Sequence, residues 1–168
     1  MTMDETFEIV DEQGAVTGTA LRSACHGNPA LLHQAVHVLA FTTAGELLLQ
    51  LRHPDKGVEP NKWDSSVGGH VQPGESPAAA AHRETEEEVG LADVDLQYLY
   101  RYIWRCPLES ELITTFRLVH DGPYRPQPDD LVDVRVWTVQ QINETLGSGM
   151  FTPNFENEWE LYPEYQGA

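Results

Sequence analysis

Apolar and polar residues alternate through FEIVDEQGAVTGTALR, residues 7–22, around a polar Asp11–Gly14 stretch. That pattern predicts a β-hairpin. The stretch 23–29 reads as a loop or short turn carrying His26. HQAVHVLAFT from His33 and ELLLQLR from Glu46 are richer in apolar residues and predict two more strands, joined at Thr43-Ala44-Gly45. A loop rich in Pro, Gly and charge covers 53–62, and WDSSVGGHV reads as strand, glycine break, strand. Ser76 to Val89 predicts a helix, with Ser76 as the cap, Pro77 in the first turn, an alanine run and Gly90 at C′. DLQYLYRYIW and LITTFRLVH form a strand pair, and DVRVWT is a short strand. Thr138 caps a further helix, VQQINETL, ending at Gly147, and NFENEWELYPEY predicts a last helix. In that tail Phe155, Trp159, Leu161 and Tyr162 are apolar positions suited to covering the protein's own core or a second subunit. Strands before and after the first good helix predict a layered α/β (α+β) domain rather than a bundle.

A length of 168 residues fits one domain, 1–168, with no repeat or linker. No apolar run is long enough to span a membrane, and the acidic N-terminus has no apolar stretch of a secretory signal. Cys25 and Cys106 make neither a CxxC pair nor a disulfide framework, so reduced thiols and a cytoplasmic setting are expected. Ten basic against 27 acidic residues give a net charge of −17, which disfavours nucleic-acid polymers as partners. A small anionic substrate fits only if metal ions mask the repulsion locally.

Candidate chemistry concentrates on the Ser76–Val89 helix. Glu84, Glu87 and Glu88 stand at i, i+3 and i+4 and share one face, where a hard cation such as Mg²⁺ relieves their repulsion. Arg83 is spaced to pair with Glu87, and Glu86 points elsewhere. Alone, such a run also describes a solvated acidic face. Its surroundings are more specific: Gly69, Glu75, Arg83, Glu84, Glu87, Glu88, Gly90 and Leu91 stand at the spacing G-x5-E-x7-R-E-U-x-E-E-x-G-U. Over 69–91 this resembles the Nudix box, departing at Thr85, where the family prefers a bulky aliphatic residue. The resemblance implies a Nudix α/β/α sandwich with a mixed sheet. It also implies Mg²⁺ or Mn²⁺ held by Glu84, Glu87 and Glu88, and attack of water on a phosphorus atom of a small nucleoside-diphosphate-linked substrate. Glu87 or Glu88 is the expected base.

From about Phe7 to Pro153 the chain also resembles isopentenyl-diphosphate isomerase, a branch of the same superfamily, beginning with VDEQGAVTGTALRSACH. That likeness implies a second metal site at His26, His33, His70, Glu109 and Glu111, a donor set suited to Mn²⁺ or Zn²⁺. It also implies diphosphate contacts from Arg52, Lys56 and Arg83. His37 shares strand parity with His33 but has no counterpart in the pattern and is read as a core-edge residue. Two departures disfavour isomerase chemistry. Gly68 stands where that family carries an acid/base cysteine, and Asn154 where it carries a tryptophan. The expectation is therefore an isomerase-like scaffold equipped as a metal-dependent hydrolase, a monomer or homodimer. An isomerase and a non-catalytic nucleotide-binding module are the alternatives. Substrate recognition is expected from loops 53–62, 104–111 and 121–130, with Trp104 and Tyr124 as stacking candidates.

Overall fold

The computed structural model describes residues 3–129 and 131–166. The predicted hairpin is β1 (Thr6–Val10) and β2 (Val16–Leu21). Its turn is held by Asp11, whose Oδ1 accepts from the backbone N–H groups of Gln13 and Ala15, both at 2.9 Å. Residues 22–25, expected in or beside a loop, form a single helical turn, α1 (Arg22–Cys25), which brings Cys25 into the interior.

The central strand is β3 (Leu32–Phe41). It runs parallel to β8 (Ser110–Val119) and antiparallel to β1, to β4 (Leu47–Arg52) and to β6 (Val67–His70). β7 (Gln97–Arg105) extends the sheet beyond β8, and β4 also pairs with β5 (Trp63–Asp64) and β9 (Leu131–Trp137). The glycines expected to break the 63–71 segment lie inside β6; the break falls at Ser65-Ser66. Ser66 Oγ accepts from the Ala40 N–H at 2.8 Å and donates to the Leu48 carbonyl, taking up two main-chain groups at the break.

Side-chain alternation along β3 sorts the interior into layers. Val36, Val38 and Ala40 pack with Ala80, Ala81 and Val89 of α2 (Pro77–Val89). Leu39 and Phe41 pack on the other face with Phe155, Trp159 and Tyr162 of α4 (Pro153–Gln166) and Ile142 of α3 (Val139–Thr145). The sheet is thus covered on both faces, as expected of an α/β/α sandwich. The C-terminal aromatic residues cover the protein's own core, and Leu161 is half-buried.

The helix signals behave as predicted. Ser76 Oγ accepts from the Ala79 N–H at 3.2 Å, and Gly90 closes α2 at φ 73°. Thr138 forms a reciprocal capping box with Gln141. Thr85 is fully buried, and its Oγ1 donates to the Ala81 carbonyl at 2.6 Å, so a hydroxyl is accommodated where an aliphatic residue was expected. No helix among the described residues is long and apolar enough to cross a membrane.

Candidate active site

A cleft of about 1070 Å³ opens over the α4-side face of β3 and β6 and runs to the start of α2's acidic face. Among the expected site residues, His26, His70, Arg52, Lys56, Arg83, Glu84, Glu87, Glu88, Glu109 and Glu111 all border it. His33 lies beneath, fully buried. Of the three loops expected to serve recognition, 53–62 and 104–111 contribute to the lining, and the described residues of 121–130 do not. Trp104 faces the cleft. Tyr124 instead packs against the α2-side core and donates to the His120 carbonyl at 2.5 Å.

At the helix end, Gly69 allows the contact that the motif requires. A Cβ built there would lie 2.1 Å from Glu84 Cδ, so strand and helix approach at a distance that only glycine permits. Glu88 is buried, and its Oε2 accepts from Gln50 Nε2 at 3.0 Å and from the Gly68 N–H at 3.1 Å. Glu87 is more than half exposed. Burial raises the Glu84 carboxyl above its usual range, against the pull of the adjacent Arg83.

Arg83 is enclosed by acceptors. Nε and Nη2 fork onto Glu75 at 2.9 Å each, and Nη2 also donates to the His70 carbonyl at 3.0 Å. Nη1 reaches Glu84 at 2.6 Å and Glu87 at 3.2 Å. Three carboxylates, Glu75, Glu84 and Glu87, thus surround one guanidinium, and Glu88 stands one helical turn beyond Glu84 with its carboxylate on Gln50 and the Gly68 N–H. Hard oxygen donors with excess negative charge are the set that a divalent cation such as Mg²⁺ takes.

The second cluster is assembled by sheet register. His33 on β3 lies opposite Glu111 on β8, and Ala35 lies opposite His70 on β6. Glu109 precedes β8 rather than lying in it, and His26 follows α1. One ligand atom each from His26, His33, His70 and Glu109 fall within 4.8 Å of one another. Glu111 flanks them, with Oε1 3.3 Å from His70 Nε2 and 3.8 Å from His33 Nε2. Phe7 stacks on the rings of His33 and His70, centroids 5.1 and 4.5 Å away.

The donors fit a borderline metal. The Nε2 atoms of all three histidines are buried without a hydrogen-bond partner. His33 Nδ1 is 3.1 Å from the Leu31 carbonyl, so it carries the proton and leaves the Nε2 lone pair facing the cluster. Burial lowers His26 to about 4, assisted by His70, and also lowers His33, so both are neutral as ligation requires. Glu109 is raised to about 7 by burial and by the Glu111 charge, whereas the surrounding histidines overcome burial to hold Glu111 low.

The remaining basic residues differ in freedom. Arg52 Nε and Nη2 donate to the Val58 carbonyl at 3.2 and 2.9 Å, and Nη1 to Asp64 at 3.3 Å. Lys56 borders the cleft from its loop and makes no ion pair among the described residues.

His37 is the residue whose surroundings were least visible from sequence. It is 7% exposed, borders the cleft, and places Nδ1 2.6 Å from Glu158 Oε2 on α4. Glu158 is fully buried, and its Oε1 accepts from Thr115 Oγ1 at 2.6 Å and Tyr100 OH at 3.2 Å. Strand parity with His33 put His37 on the right face; nothing local identified a partner 121 residues away.

A NUDIX domain family model matches residues 31–161, and the chain belongs to that family. It is 47% identical to an isopentenyl-diphosphate Delta-isomerase of Streptomyces griseus, over 89% of this chain and 79% of that protein. It is 33% identical to an uncharacterized Nudix hydrolase of Pseudomonas aeruginosa, over 94% of this chain and 93% of that one. Among solved structures, the Deinococcus radiodurans protein DR0079 superimposes with a TM-score of 0.77 at 25% identity, covering 88% of this chain and 92% of that chain.

Proposed function

We propose that this protein is a divalent-metal-dependent hydrolase that cleaves a phosphoanhydride bond in a small diphosphate substrate. The observation that carries the reading is the intact carboxylate group of α2 facing the cleft, with Glu88 fixed by Gln50 and the Gly68 N–H. Glu84, Glu87 and Glu88 would hold Mg²⁺ or Mn²⁺, which supplies charge masking and an acidified water. Glu87 or Glu88 takes the proton from the attacking water. Lys56 and the N–H groups of Arg52 that Val58 and Asp64 leave unused grip the diphosphate. Arg83, expected from the resemblance to share that task, has its donors committed to Glu75, Glu84, Glu87 and the His70 carbonyl, so its part is to set the carboxylates in place. His26, His33, His70, Glu109 and Glu111 would hold a Mn²⁺ or Zn²⁺ at the other end.

The test is product analysis by mass spectrometry after incubation with Mg²⁺ or Mn²⁺ and a panel of nucleoside diphosphates and triphosphates, nucleotide sugars, dinucleoside polyphosphates and isopentenyl diphosphate. Cleavage lost in Glu88→Gln supports the reading. Full activity in that variant refutes the assigned role.

The 47% identity to a protein named as an isomerase favours a second reading, allylic isomerisation of isopentenyl diphosphate. Against it, Gly68 offers no proton and Asn154 offers no π-face to a carbocation. Cys106 does border the cleft, from the loop between β7 and β8. Deuterium uptake from solvent into isopentenyl diphosphate, without cleavage, would establish the isomerase.

A further inference from the structure

The hydrolytic arrangement leaves the His37–Glu158 pair unused. Gly68 lies directly across from His37 in the β3–β6 register. A Cβ at Gly68 would stand 3.3 Å from His37 Cδ2, 3.7 Å from His37 Nε2 and 3.9 Å from Ser65 Oγ. The missing side chain therefore leaves a shallow niche in the cleft floor, one in which even a methyl carbon would stand tightly against His37 Cδ2, and one imidazole edge forms part of its wall. Three donors converge on Glu158, from His37, Thr115 and Tyr100, which fixes the carboxylate as acceptor and leaves the proton on His37 Nδ1. Nε2 on the opposite edge has no hydrogen-bond partner among the described residues.

Asn154 borders the cleft with Oδ1 already accepting from Tyr102 OH at 2.9 Å, so its amide N–H groups are the ones left to donate. His37 lies four residues along β3 from His33, roughly 13 Å at strand rise. That separation sets His37 apart from the histidine cluster, while the Gly68 N–H, 3.1 Å from Glu88 Oε2, ties the niche to the α2 carboxylates, so a group seated there lies beside the diphosphate.

We propose that His37 is a specificity-determining residue: its Nε2 donates a hydrogen bond to an acceptor atom on the non-phosphate part of the substrate, seated in the niche over Gly68. The substrate class follows from the donor. It is a diphosphate whose other end carries a carbonyl, ring nitrogen or hydroxyl oxygen, as a nucleobase or sugar does. An alkenyl chain in the niche would strip water from Nε2 without replacing its hydrogen bond. Glu158 keeps the ring protonated through neutral pH and fixes its orientation; it is a positioning residue. The inference deepens the hydrolase reading by naming what the same cleft selects, but it concerns binding and stands apart from which bond is cut.

The experiment is calorimetric binding with Ca²⁺ replacing Mg²⁺, so that affinity is read without turnover. The probes are a set of nucleoside diphosphates and nucleotide sugars, isopentenyl diphosphate, and inorganic pyrophosphate for the phosphate end alone. For the wild type, the tightest of the polar diphosphates should bind more strongly than isopentenyl diphosphate. His37→Phe should weaken that binding by about tenfold to a hundredfold, the ordinary worth of one hydrogen bond from a charged donor, and should move pyrophosphate affinity little. Gly68→Ala, whose methyl fills the niche against the His37 ring on the side away from Glu158, should act in the same direction. Should His37→Phe fail to fold, the ring ¹⁵N resonances of wild-type His37 give an independent readout. Nε2 should shift on adding the polar diphosphate and not on adding pyrophosphate. In Glu158→Gln the ring should titrate at lower pH. Equal losses for all probes, tighter binding of isopentenyl diphosphate, or an unmoved Nε2 resonance would each overturn the proposal. Selective binding without cleavage in Mg²⁺ or Mn²⁺ would instead sink the hydrolase reading and leave this inference standing.

Discussion

Replacing Glu158 by Gln should remove a pH dependence of folding that the wild type shows between about pH 6.5 and pH 9. Burial by itself pulls the His37 imidazolium down, but the Glu158 carboxylate outweighs burial by charge and hydrogen bond, and the ring titrates at about 9. In the unfolded chain it returns to about 6.5. Between those values the folded state holds the extra proton, so unfolding free energy falls as pH rises. The contribution is complete below pH 6.5 and lost above 9. At 1.36 kcal/mol per pH unit it amounts to about 3 kcal/mol. Solvent screening removes little of it, because Glu158 is 0% and His37 7% exposed. The charged groups that act on His37 are Glu158 from α4, Asp64 from β5 and Glu111 from β8; Tyr100 on β7 stays neutral because burial and Glu158 raise it. Glu109, raised to about 7, contributes stability at acid pH that is lost as pH rises to about 7, so its change is over before this stretch begins. The Cys25 thiol, raised by burial, acts only near and above pH 9. The stretch from pH 7.5 to 9 therefore reports mainly on His37. Urea denaturation at half-unit pH steps is the assay. The wild type should lose roughly 2 kcal/mol across that stretch, and Glu158→Gln should be nearly flat. A flat wild type, or an equal slope in both proteins, would refute the reasoning.

Glu88→Gln keeps size and burial but removes charge, and should lower cleavage by about a hundredfold or more, read as initial rate. Gly69→Ala places a methyl carbon where Glu84 Cδ stands and should displace that carboxylate, so metal affinity by calorimetry and cleavage rate should fall together. His33→Ala should abolish binding of one Mn²⁺ or Zn²⁺ in equilibrium dialysis. Chelating that ion from the wild type should lower stability by about 2.7 kcal/mol where the free metal had stood a hundredfold above its Kd. Gly90→Ala forces an L side chain into φ 73°, with its Cβ 2.8 Å from Arg125 Cβ. Thermal unfolding should show a loss of about 1–2 kcal/mol for the backbone conformation alone.

The legible parts of this protein are those whose physics is local. The Ser76 cap, Pro77, Gly90 and the Glu84, Glu87, Glu88 spacing all act within one helix, where a fixed rise and turn convert sequence distance into geometry. Placing His26, His33, His70, Glu109 and Glu111 together needed the resemblance. The convergence of His33, His70 and Glu111 depends on the register of β3 with β6 and β8, which no short window encodes, and His26 and Glu109 join them from the end of α1 and the residue before β8. The break in 63–71 falls at Ser65-Ser66 rather than at the glycines because the Ser66 hydroxyl bonds to Ala40 and Leu48 on neighbouring strands, contacts that the local sequence does not show.

Gly68 shows how the two kinds of information combine. In sequence it registers only as a loss, a position without the cysteine that the isomerase resemblance calls for. In the fold the absent side chain is also an opening, bounded by a protonated histidine whose carboxylate partner arrives from the last helix. A carbocation reaction calls for a proton donor and a π-face over an apolar chain; this cleft presents glycine, asparagine and a hydrogen-bonding imidazole in that region. On the proposed reading, the two departures from isomerase chemistry make one coherent change, from stabilising an alkenyl cation to accepting a polar group beside the diphosphate. Restoring the isomerase residues in Gly68→Cys/Asn154→Trp should accordingly shift relative binding toward isopentenyl diphosphate. No shift in that double variant would mean that the niche does not set the choice.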